Sequence, residues 1–134
     1  MQTLKLFLAG LPVFLALDAL WLCVVAKGFY RRELGPLARR VGEEWAPIWW
    51  ATVPVYLAIV GGLALFVVPK SATPLAALGW GAVFGVVLYA VYDFTNYALV
   101  ANWSLKMTLV DLAWGAFACG AAAFVMKHLE AWLK

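Results

Sequence analysis

Residues 75–101 read LAALGWGAVFGVVLYAVYDFTNYALVA and contain a single charged side chain, Asp93. As a helix this stretch spans roughly 40 Å at 1.5 Å per residue, more than the ~30 Å hydrocarbon core of a bilayer. Three further stretches pass the same test, at about residues 4–26, 46–68 and 107–126. Lipid offers no partner to backbone N–H and C=O groups, so such spans must be helical. The sequence therefore predicts an all-α fold, an integral membrane bundle of four transmembrane helices forming one domain over residues 1–134.

Composition agrees. The chain is 66% hydrophobic and 13% charged, whereas a soluble domain carries roughly 25% charged residues. The lipid bilayer is thus its first partner. A net charge of +3, carried by residues that border apolar spans, fits anionic headgroups and excludes a nucleic-acid groove. The first apolar run exceeds the h-region of a signal peptide and is expected to be a span. Cys23 and Cys119 both fall in apolar stretches and read as small hydrophobes.

Punctuation between the spans is consistent with these boundaries. Gly35-Pro36 breaks the first connection, Pro69 and Pro74 flank the second, and Asn102 or Ser104 is placed to cap the fourth helix. Pro12 and Pro54 lie inside spans, where neighbouring helices can absorb a kink. Trp45, Trp49, Trp50 and Trp103 sit at headgroup level. Gly81 and Gly85, and a stripe of Gly115, Cys119 and Ala123, permit close helix approach, either within the bundle or between two copies. Lys27, Arg31, Arg32, Arg39, Arg40 and Lys106 fall on one side, and Lys5, Lys70, Lys127 and Lys134 on the other. The positive-inside rule then puts the first and third connections in the cytoplasm and both termini outside.

All three aspartates, Asp18, Asp93 and Asp111, lie inside spans, and every glutamate lies outside them. An aspartate at a helix centre costs about 2.5–3.5 kcal/mol on insertion scales, so three require an explanation. Asp18 and Asp93 each sit roughly 12 Å before the end of a span, and Asp111 roughly 7 Å into the returning one. All three are therefore expected at similar depth on the basic side. Trp21 and Trp114 follow Asp18 and Asp111 by three residues. Tyr89 and Asn96 flank Asp93 on its own face, and Thr108 precedes Asp111 by a turn. These residues predict one shared polar pocket, with Lys27, Arg31 and Arg32 above it. The stretch after Asp18, ending Val25-Ala26, also resembles that after Asp93, ending Val100-Ala101, as though two hairpins were repeated.

Several of these segments resemble a known family. Leu17-Asp18-Ala19-Leu20-Trp21-Leu22, Ala26-Lys27-Gly28-Phe29-Tyr30, Tyr92-Asp93-Phe94-Thr95-Asn96 and Val110-Asp111-Leu112-Ala113-Trp114-Gly115 are similar to bacterial membrane proteins grouped as domain of unknown function 2177. The resemblance covers essentially the whole chain. It implies a four-helix protein of the bacterial inner (plasma) membrane and brings no activity, cofactor or catalytic residue.

Function must then be read from the residues. One reading is a proton- or cation-linked transporter of a small substrate. Carboxylates crowded in a low dielectric repel one another, so at least one is expected to hold a proton. Any bound cation would be hard, because only oxygen ligands lie at that depth and His128 is at the far end of the fourth span. No resident metal or cofactor is implied. A chain this short would need to form a homodimer to build a pathway. The alternative is an enzyme that modifies a lipid or isoprenoid by aspartate acid–base chemistry, with Tyr89, Tyr92, Trp21 and Trp114 walling the site and the basic residues holding a phosphate headgroup. A third reading is an accessory membrane subunit. Nucleotide loops, nucleophile elbows and metalloprotease helices are absent, which disfavours ATP-driven transport and serine or zinc hydrolysis within the chain.

Overall fold

In the computed structural model, which describes residues 1–134, four helices are long and apolar enough to cross a membrane: Gln2–Val25, Trp49–Val67, Pro74–Leu99 and Leu105–Leu133. The first consists of α1 (Gln2–Leu20) and a π-helical turn over Trp21–Val25. A short amphipathic helix, α2 (Lys27–Leu34), and a two-stranded hairpin of β1 (Arg40–Val41) and β2 (Glu44–Trp45) fill the first connection. The second span joins α3 (Trp49–Gly62) to a π turn over Leu63–Val67, and α4 (Pro74–Leu99) and α5 (Leu105–Leu133) complete the bundle.

The helix ends follow the sequence chemistry. Thr73 accepts a hydrogen bond from the Ala76 amide at 3.1 Å, with Pro74 at the first helical position. Of the two candidate caps for α5, Ser104 is used. Its hydroxyl accepts from the Met107 amide at 3.0 Å, whereas Asn102 takes a left-handed φ of 64° in the turn before it. Gly35, at φ 50°, ends α2 in a conformation that side chains resist. The fourth helix continues to Leu133, beyond the expected end near Met126.

Many large apolar side chains point away from the bundle, among them Val24, Trp80, Val87, Leu99 and Phe117. In water this would be costly; in hydrocarbon it is the ordinary outer surface of a spanning helix. The interior is lined by residues at three- and four-residue spacing: Leu6, Gly10, Phe14 and Asp18 on α1, and Ala77, Gly81, Gly85 and Asp93 on α4. On α5 the buried stripe runs from Thr108 and Asp111 through Gly115, Cys119 and Ala123 to Met126. Each aspartate is thus one rung of its helix's inward-facing stripe, at the end nearer the α2 connection.

The small residues are used inside the chain. A Cβ on Gly85 would lie 2.0 Å from the carbonyl oxygen of Gly115, and one on Gly81 would lie 2.6 Å from that of Cys119. Between α4 and α5 the backbones touch, so the two glycine-containing stripes serve each other rather than a second copy. At the far end, Lys127 pairs with Glu130 at 2.6 Å and donates to the Val68 carbonyl at 3.3 Å. Cys23 is exposed, Cys119 is buried, and both are free thiols.

This packing yields a direct test. Gly85→Ala should destabilise the protein by about 1–3 kcal/mol, because backbone must move to admit the methyl group. Gly79, beside which nothing lies within 4 Å, should accept alanine without loss. Thermal unfolding in detergent would read the difference.

Candidate functional site

The three aspartates meet at the end of the bundle covered by α2. Asp18 accepts hydrogen bonds from the Tyr56 hydroxyl at 2.6 Å and from the Trp114 indole at 3.3 Å. Asp111 accepts a hydrogen bond from the Tyr30 hydroxyl, which in turn accepts from the Trp21 indole at 3.1 Å. Trp21 and Trp114 are stacked, with centroids 4.5 Å apart and planes 4° from parallel, so the two donor systems brace each other. Asp93 is wholly buried, and neither of its carboxylate oxygens has a donor. Its neighbours are Asp111 and the Trp103 indole. One proton held between Asp93 and Asp111 would satisfy an oxygen on each.

Asp18, Tyr89, Asp111 and Trp114 line a common cavity of about 250 Å³, together with Tyr30, Tyr92 and Trp45. No group of three acidic, histidine or cysteine side chains is arranged to grip a metal ion; Asp18 and Asp111 border the space, whereas Asp93 lies outside its lining. Of the other residues expected in the pocket, Trp21 acts from behind through Tyr30 and the stack. Thr108 is buried but engaged, donating to the Ser104 carbonyl at 3.1 Å and accepting from the Trp103 indole at 3.2 Å. Asn96 is half-buried beside Tyr92 and does not line the cavity.

Two tyrosines that sequence reasoning passed over, Tyr30 and Tyr56, supply the phenolic donors. Tyr30 arrives because the π turn, closed by the Ala26 amide donating to the Trp21 carbonyl at 2.8 Å, ends α1 and lets α2 turn across the bundle. A small cluster of Ala26, Tyr30 and Met107 seals it there. The Ser104 hydroxyl donates to Glu33, and Lys106 lies 5.8 Å over the Phe29 ring. Burial, and then the bond to Asp111, hold the Tyr30 hydroxyl far above the usual phenol range. It therefore remains a neutral donor at physiological pH.

The basic residues divide differently from the expected arrangement. Lys27 and Arg32 are exposed and line neither cavity at this end. Arg31 braces the hairpin, donating to the Glu43 carbonyl at 3.3 Å and lying 3.9 Å from Glu44. Arg39 is the basic side chain that lines a space here, a groove of about 530 Å³ between the first two spans. That groove shares Asp18, Leu22, Leu34, Trp45 and Tyr89 with the aspartate cavity. The suggested repeat also differs in geometry, since the chain after Asp18 forms a π turn whereas that after Asp93 remains α-helical to Leu99.

Fold and site together define a four-helix integral membrane protein with buried carboxylates gathered at one end. The chain belongs to the family described as predicted membrane protein, domain of unknown function 2177, which it matches over residues 3–127. No curated protein and no solved structure matches it.

Tyr30→Phe removes the hydroxyl donor to Asp111 and the acceptor for Trp21. The expected cost is about 1–3 kcal/mol, that of stranding a buried polar group, read as a lower midpoint of thermal unfolding in detergent. Tyr97→Phe, at an exposed residue, should leave the midpoint unchanged.

Proposed function

We propose that the protein is an intramembrane acid–base enzyme acting on a lipid- or isoprenoid-like amphiphile in the bacterial inner membrane. The observation that carries this reading is the continuity of the aspartate cavity with a groove walled largely by apolar side chains. A membrane-dissolved molecule can reach the carboxyl groups through such an opening. Toward the opposite face the bundle is filled: Leu6, Phe14, Val60, Leu63 and Met126 are all at most 1% exposed. A proton- or cation-linked transporter would need a route through that packing, so the one-sided site favours the enzyme.

In this reading Asp111 and Asp18, which border the cavity, are the catalytic carboxyl groups. Asp111 gives a proton to one substrate atom, and Asp18 takes one from another. Asp93, behind Asp111, shares that proton beforehand, and the proton taken up by Asp18 returns to the Asp93–Asp111 pair before the next cycle. Tyr30 and Tyr56 fix the carboxylate geometry, and the stacked indoles keep water from the reacting groups. The α2 connection faces the cytoplasm, as the distribution of basic residues favours.

The test compares membrane lipids extracted from cells that make the wild-type protein, Asp111→Asn or Asp93→Asn. Asparagine keeps the size and hydrogen bonds of aspartate but cannot exchange a proton in the same way. Wild type should alter the level of at least one lipid or isoprenoid species; both variants should accumulate with a normal thermal midpoint and fail to do so. An identical lipid profile from a folded Asp111→Asn would refute the acid–base role.

A further inference from the structure

We propose that the groove between α1 and α3 holds an anionic-headgroup lipid, with Arg39 and Trp45 as its headgroup contacts. The proposal rests on the reading above for the chemistry at depth and names the substrate class that the site admits.

The groove has the length of an acyl chain in one leaflet. Its α3 wall runs Ile48, Ala51, Val55 and Ile59, one face of the helix at three- and four-residue spacing. From Ile48 to Ile59 the rise is roughly 16 Å, close to half of the ~30 Å hydrocarbon core. Leu22 of the first span is part of the lining, and ten of the fourteen lining residues are hydrophobic. A chain lying there would be covered by protein on one side and would remain in contact with the bilayer on the other.

The connection end of the groove supplies one accessible donor group without an acceptor, the Arg39 guanidinium. Arg40 is committed to the Gly35 and Arg31 carbonyls, at 2.7 and 3.3 Å, and Arg31 is committed to the hairpin. Arg39 lines the groove, is exposed, and makes no side-chain hydrogen bond or ion pair. The Trp45 indole N–H is buried and has no partner, and Trp45 lines both the groove and the aspartate cavity. An unpaired, exposed guanidinium at the mouth of an apolar groove calls for an anionic group rich in acceptors, such as a phosphate diester, and the Trp45 ring beside it suits headgroup level. Asp18, deeper in the same groove, would repel that anion, so charge orders the ligand: headgroup at Arg39, chain inward.

Native mass spectrometry of the full chain in detergent, titrated separately with phosphatidylglycerol and phosphatidylcholine of identical acyl chains, tests this. Phosphatidylglycerol should bind more tightly, and Arg39→Gln should weaken it about fivefold, the worth of one arginine at an anionic lipid headgroup. Lys70→Gln, at the opposite end, should leave it unchanged. Equal binding of the two lipids, an unchanged preference in Arg39→Gln, or an equal loss in Lys70→Gln would overturn the proposal. Binding is read without turnover, so Asp111→Asn should retain the preference. Failure here would leave the acid–base test standing, and failure of that test would leave this one.

Discussion

The contact on which the site depends is the backbone-to-backbone approach of α4 and α5. Gly85 lies against the Gly115 carbonyl, and the two helices run antiparallel from that point. Two turns further along α4 is Asp93, and one turn back along α5 is Asp111. Their adjacency is therefore a consequence of glycine packing some distance below them. In lipid no hydrophobic drive gathers the helices, so close van der Waals contact at small residues must do so. The same contact presses Tyr89 against Gly115 and sets one wall of the cavity. A bulkier residue at either glycine would separate the carboxyl groups as well as the helices.

A second constraint comes from the polar cluster itself. An aspartate in each of three spans is costly unless its oxygens find partners, and the partners present come from separate elements. Tyr56 reaches Asp18 from α3, Trp114 reaches it from α5, and Tyr30 reaches Asp111 from α2. These bonds tie α1, α2, α3 and α5 together, while α4 is held against α5 by its glycines. Asp93 alone has no donor, and its neighbour is Asp111.

Much of this was legible in the sequence. Apolar runs gave the four spans, and counting residues from their ends put the aspartates at one depth. Trp21, Trp114 and Tyr89 followed from helical spacing. Asn96 shares Asp93's face by spacing, but the cavity lies on the Tyr89 and Tyr92 side. Tyr30 was hidden in Lys27-Gly28-Phe29-Tyr30-Arg31-Arg32, which reads as a basic loop; nothing local says that its hydroxyl meets a carboxylate 81 positions away. Tyr56 offered a fainter signal, since a phenol inside an apolar span needs a hydrogen-bond partner. The π turn that swings α2 over the site has no evident mark in the sequence, and the role of Arg39 depends on which arginines the hairpin occupies.

The central claim is that the buried carboxyl groups form one cluster. Asp18, Asp93 and Asp111 are the chain's only aspartates, so labelling aspartate with ¹³C at Cγ gives three side-chain signals. Solid-state NMR of that protein in lipid bilayers, assigned with single Asp→Asn variants, would measure the dipolar contacts among them. The account predicts a strong Asp93–Asp111 correlation. Three carboxyl signals with no mutual contact would contradict it.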